Sequence, residues 1–162
     1  MNTIRFVFKK ILTLCFLFFY CCNTNALNER ITEIEEFKVI NVIKKAKSYI
    51  KKNGIQKAII KFKNSQDIVI GNYDGVFFVS PLHPEQIGKN QFNYKDSLGK
   101  FVVQEEINKA KSGGGWLKGR WRYNSLTGTY QCRKIYILPV AKNYFIGAWY
   151  HYTSDKRETC PL

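Results

Sequence analysis

The segment Asp74–Lys100, DGVFFVSPLHPEQIGKNQFNYKDSLGK, decides how the chain is read. It opens on Asp-Gly, passes through the β-prone run Val76–Val79 and breaks at Pro81 and Pro84. Asp-Gly between apolar runs marks a hairpin. Strands are therefore expected at Ile68–Ile70 and Val76–Val79, around the turn Asn72-Tyr73-Asp74-Gly75. A loop follows, and Asp96-Ser97-Leu98-Gly99 turns into a helix predicted from about Leu98 to Lys111. The Asp96 carboxylate there suits the free N–H groups of a helix start better than it suits catalysis. His83-Pro84 invites an acid–base reading, but no catalytic signature surrounds His83, which is expected to be an exposed loop residue.

Upstream, LNERITEIEEFKVINVIKKAKSYIKKNG reads as one long helix over 28–52. Its apolar residues recur at helical spacing. Asn28 is placed to cap it, glutamates crowd its start and lysines its end, as the helix dipole favours, and Asn53-Gly54 stops it. A short helix, Ile55–Phe62, follows. Downstream, three glycines end the second long helical pattern. The runs WLKGRWRYN, YQCRKIYILPV and NYFIGAWYHYT are then strands, the last two joined at Ala141-Lys142-Asn143. This order predicts an α+β domain with a long N-terminal helix and a five-stranded antiparallel sheet, one face of which is covered by helices. The sheet region is expected over 67–152, with a tail over 153–162.

The first 26 residues have the pattern of a secretory signal peptide. Arg5, Lys9 and Lys10 precede the apolar run Ile11–Cys22, and Thr24-Asn25-Ala26 supplies small residues for cleavage after Ala26. The competing reading is an uncleaved anchor, but about a dozen helical residues rise only ~18 Å against a hydrocarbon core of ~30 Å. A lipoprotein fate through Cys21 or Cys22 is a third reading, disfavoured by the bulky Tyr20 before them. Cleavage leaves Cys132 and Cys160 as an even pair, which an oxidising compartment would join. Such a bridge stabilises by about 3 kcal/mol in the chain-entropy picture; two free thiols are the alternative. No CxxC spacing supports zinc.

The chain carries 26 Lys and Arg against 12 Asp and Glu, and three of the basic residues lie in the signal peptide. The charge is scattered along the chain rather than gathered in one motif, and export argues against nucleic acid as a partner. An anionic membrane surface or a small anionic ligand fits such a balance better.

The motifs DGVFFVSPLHPEQIGKN, KDSLGKF, GGGWLKGRW and IYILPVAKNYFIGAWY, in that order, resemble the second subtype of the single Cache domain. The resemblance covers about Leu27–Tyr152. It implies a PAS-like fold and an extracytoplasmic, sensor-type module whose pocket takes a small carboxylate such as acetate, propionate, pyruvate or lactate. Aligning Gly75, Gly88 and Lys89 with the family pattern places its His-Pro on Ser80-Pro81, three residues before His83-Pro84. A pocket tyrosine of the family falls on Gly119 and another on Asp67, while its tryptophan is kept as Trp121. The basic residue of the last motif is Arg133, ahead of Tyr136, and Trp149 stands where a small residue is usual. Losing two tyrosines and a histidine is expected to enlarge the pocket and remove donors, giving a different ligand or a degenerate pocket.

A small carboxylate in an apolar pocket needs a cation or several N–H donors, and arginine can engage both oxygens. Arg133 is the first candidate anchor and Arg120 the second, each set against the reading of a solvated strand residue. In a regular strand Arg120 and Trp121 face opposite sides, so at most one of them points inward. Trp116, Trp121 and Tyr136 would supply walls with polar tips, or simply pack between sheet and helix, and Ser80 would supply a hydroxyl. No catalytic residue, metal ligand or cofactor is expected. The expected function is a periplasmic or secreted small-molecule-binding protein without its own signalling output domain, working with a membrane-bound receptor. The second reading is an interaction module that meets a membrane or partner protein through its basic surface.

Overall fold

The computed structural model describes residues 29–96, 99–124, 126–153 and 160. The expected signal peptide and the Asn28 cap lie outside them, as does most of the C-terminal tail. The chain divides into two compact units, one ending at Phe37 and one running from Lys38. Everything that forms the site belongs to the second.

Residues 29–53 are helical (α1). In the second unit α1 buries Val39, Ile43, Ala46 and Ile50, a spacing that puts all four on one face. The helix stops where expected: the Gly54 N–H donates to the Ile50 carbonyl at 2.8 Å, and the Asn53 side chain donates to the Tyr49 carbonyl at 3.0 Å. Helix α2, Ile55–Phe62, buries Ala58.

Five strands follow in one antiparallel sheet: β1 Val69–Asn72, β2 Phe77–Val79, β3 Gly115–Asn124, β4 Thr129–Ala141 and β5 Tyr144–Tyr152. Their spatial order is β2-β1-β5-β4-β3, and every pair is antiparallel. The α+β class and the five strands agree with the sequence reading. The β1–β2 turn is built by its own side chains, since Asn72 Oδ1 accepts the N–H groups of Asp74 at 3.1 Å and Val76 at 2.8 Å. Gly75 holds φ 86°, and a Cβ there would sit 2.8 Å from the Phe92 backbone nitrogen. This position therefore requires glycine.

Three expectations are corrected. Both faces of the sheet are covered, not one. On the first face Ile70, Val79, Ile146 and Ala148 join the buried residues of α1 and α2. On the second, Val69, Phe77, Ile135, Ile137 and Phe145 pack against helix α3. Helix α3 spans Val102–Lys111 and starts later than the predicted Leu98, a residue outside those described. Asp96 caps a turn ahead of this helix: its carboxylate accepts the Lys100 N–H at 2.9 Å, and its own N–H donates to the Lys100 carbonyl at 3.0 Å.

The pairing of β3 with β4 contains a β-bulge. Leu117 opposes Ile135 and Arg120 opposes Arg133, so two β3 residues, 118 and 119, face the single residue Lys134. An extra residue shifts every later side chain to the other face. Beyond the bulge Cys132 is bonded to Cys160, 28 residues away, and Tyr152 donates its hydroxyl to the Cys160 carbonyl at 3.1 Å. Among the described residues no helix is long and apolar enough to cross a membrane.

Candidate functional site

A cavity of about 100 Å³ lies on the second face of the sheet, between the strands and α3. Holding one water takes ~10–15 Å³ of such space, so the cavity admits a small organic molecule. Its floor is apolar, made by Val69, Phe77, Ile135 and Trp149 from four strands. One wall is the start of α3, with Val102, Val103 and Glu106. The rim is the loop after β2, which brings Ser80, Pro81, Leu82 and His83, followed by Gln86, Gln91 and Tyr94. The segment that decides the fold therefore also closes the cavity.

The bulge determines which charges reach this space. With strict alternation, Leu117, Gly119 and Trp121 would share a face. With the extra residue, Arg120 and Arg122 share the face of Leu117, and Trp121 turns away with Cys132 as its neighbour. Arg120, Arg133 and His151 then form one row across β3, β4 and β5.

The arginines have different surroundings. Arg120 is buried and donates to Glu106 Oε1 at 3.2 Å, to the Val102 carbonyl at 3.3 Å and to Glu105 Oε2 at 2.6 Å. It ties α3 to β3. Arg133 is only 9% exposed, and its Nε is buried with no hydrogen-bond partner among the described residues. Its guanidinium carbon lies 5.4 Å from the centre of the Trp149 ring, a cation–π arrangement that holds the plane without using its N–H donors. Burial and the neighbouring Arg122 lower its pKa to about 9, against an opposing pull from Glu106, so Arg133 is cationic at neutral pH. Arg122 also lines the cavity and likewise has a buried Nε with no partner among the described residues. His151 is held neutral, its pKa lowered to about 4 by burial and then by Arg133.

Of the six residues singled out from the sequence, Ser80 and Arg133 line the cavity. Arg120 stands on the same face but is taken up by the two glutamates. Trp116 and Tyr136 lie on the opposite face, where their rings meet edge to face at 5.1 Å and pack against the α1 cluster. Trp121, turned over by the bulge, stacks on Tyr130 at 6.2 Å. The expected enlargement of the pocket through Gly119 and Asp67 is not seen. A Cβ on Gly119 would overlap the Tyr152 hydroxyl and lie 3.0 Å from the Cys160 carbonyl, so this glycine makes room for the tail. Asp67 is exposed. His83 is half-exposed at the rim, 3.3 Å from Glu85. The sequence reading missed Arg122 and Glu106 as lining residues. Among the described residues no group of His, Cys, Asp or Glu is arranged to hold a metal ion.

A sheet with a long helix on one face and a small, cation-lined cavity on the other defines a ligand-pocket domain of the PAS-like kind. The profile of the Single Cache domain 2 family matches residues 29–136, and the chain belongs to that family. Solved structures agree on the fold. A methyl-accepting chemotaxis protein from Vibrio parahaemolyticus RIMD 2210633 superposes with TM-score 0.64 at 16% identity, over 76% of this chain and 92% of that one. A Cache chemosensory domain described for carboxylic acid recognition gives 0.60 at 18% identity, over 76% and 97%. The periplasmic sensor domain of a chemotaxis protein gives 0.57 at 12% identity, over 77% and 96%. A search of curated proteins gives no match.

Proposed function

We propose that this is an extracytoplasmic sensor-type domain that binds a small organic anion, a carboxylate, with Arg133 as its anchor. The observation that carries this reading is the state of Arg133: cationic, 9% exposed, set over Trp149 and holding an unused buried donor at a cavity. Burial of this cation is costly, Glu106 offsets it only against the opposing charge of Arg122, and a ligand carboxylate would supply both further charge and acceptors. Ser80 offers a hydroxyl at the rim, and the apolar floor suits a short carbon chain. The similar Cache chemosensory domain described for carboxylic acid recognition supports this class of ligand, and the similar chemotaxis protein supports a sensory role. In this reading residues 1–26 are a signal peptide cleaved after Ala26. The bound state is passed to a membrane-bound receptor.

Thermal unfolding in acetate, propionate, pyruvate or lactate tests the proposal. A ligand at about 100 times its dissociation constant stabilises by about 2.7 kcal/mol, a shift of several degrees for a domain of this size. Arg133→Gln should remain folded and lose the shift. Absence of a shift with every acid, or an equal shift in the variant, would overturn the assignment.

A further inference from the structure

We infer that the exposed side of the α1–α2 layer is a docking surface for an anionic lipid membrane. Ile60 enters the interface there, and the lysines around it meet the headgroup phosphates. This surface lies across the sheet from the cavity, and it does not depend on how the cavity is read.

Composition and placement carry the inference. Nine lysines and no Asp or Glu stand between Lys38 and Gln66, and all nine are exposed. On α1 the stripe Val39, Ile43, Ala46 and Ile50 is buried against the sheet, which leaves Lys44, Lys45, Lys51 and Lys52 on the sides turned to solvent. Lys44 with Lys51, and Lys45 with Lys52, are two turns apart, ~10.5 Å along the axis. On α2 Ala58 is buried, while Lys57, Ile60 and Lys61 share the outer side. None of these six lysines is in an ion pair among the described residues.

The two helices make one surface. Gly54 alone separates them, and both pack on the same core cluster. Lys61 sits over the Tyr49 ring at 5.3 Å, beside the edge-on contact of Tyr49 with Phe62 at 5.7 Å. The lysines of α2 thus continue those of α1.

Ile60 decides the class of partner. It is 76% exposed. A lone exposed isoleucine needs no explanation, and lysines alone would suit any polyanion. Together, an apolar side chain at the outer side of a lysine-rich helix layer has the composition of an interfacial helix. The apolar residue enters the acyl boundary while the lysine stems snorkel to the headgroups. A soluble polyanion would meet the lysines and leave Ile60 in water.

Vesicle flotation of the exported protein, from Leu27 on, tests the surface. Vesicles with about 30% phosphatidylglycerol in phosphatidylcholine should retain it at ~0.05 M salt and release it at ~0.5 M, as the Debye length shortens. Pure phosphatidylcholine should retain little. Each lysine near an anionic surface contributes about fivefold, so Lys44→Gln, Lys51→Gln, Lys57→Gln and Lys61→Gln combined should weaken binding at least about a hundredfold. The same number of changes elsewhere, at Lys89, Lys95, Lys100 and Lys142, should weaken it far less, because those side chains lie off the surface. Ile60→Ser should weaken binding by about fivefold or more without changing its salt dependence. No retention by anionic vesicles, or equal retention by neutral ones, would overturn the inference. Equal loss in the two combined variants would assign the effect to net charge and overturn this face as the site. Unchanged binding by Ile60→Ser would overturn insertion. Binding to polyglutamate that Ile60→Ser leaves intact, without retention by anionic vesicles, would assign the face to a soluble polyanion and overturn the membrane. If the combined lysine variant does not fold, the wild-type salt dependence and Ile60→Ser still decide.

Discussion

Three arginines on one sheet face show how little residue type alone determines. Arg120 is spent on Glu105 and Glu106, while Arg122 and Arg133 keep unused donors. The two halves of the Arg120 pairing should not contribute equally. Its guanidinium and Glu106 are each only 6% exposed, whereas Glu105 is 47% exposed. Removing one partner of a buried pair costs about 3–5 kcal/mol because the other charge is stranded, while an exposed pair contributes about 1 kcal/mol or less. Urea unfolding should show Arg120→Ala losing several times more stability than Glu105→Gln. Similar losses would show that Arg120 does not hold α3 in place. His151 stands in the same row, and its imidazole stays neutral through burial first and the neighbouring charge of Arg133 second.

The elements were largely legible because their signals are local. Asn53-Gly54 stops α1, Asp74-Gly75 turns β1 into β2, and the last three strands announce themselves by composition. Two features escaped. The covering of both sheet faces depends on where α3 returns, which no local pattern encodes; Ile135 and Ile137 meet α3, and Tyr136 between them meets the other face. The bulge escaped because β3 reads as a regular strand, in which Arg120 and Trp121 face opposite sides and nothing singles out Arg122. Gly119, an isolated glycine in a strand-like run, was its only trace. That glycine leads to a test. A methyl group at 119 would meet the Tyr152 hydroxyl and the Cys160 carbonyl. Overpacking of this kind costs about 1–3 kcal/mol, so Gly119→Ala should destabilise by that amount. The penalty should shrink when Tyr152→Phe removes the hydroxyl, as a double-mutant cycle would read. An unchanged penalty would mean that the tail does not press on the bulge.

At the scale of the whole molecule, the covered sheet resembles a domain built around two apolar layers, one of which has been left open for charge. Native domains keep only ~5–15 kcal/mol of net stability, and a buried cation with an unused donor draws on that margin at all times. Replacing Arg133 by methionine should therefore raise the urea midpoint of the ligand-free protein while abolishing the response to acid; a lowered midpoint would show that the cation–π contact with Trp149 outweighs desolvation. The consequence is evolutionary. Where the ligand stops mattering, selection for stability alone favours losing the arginine, because loss of function and gain of stability lie along the same substitution. On the proposed reading, Arg133 is a residue that only use can keep.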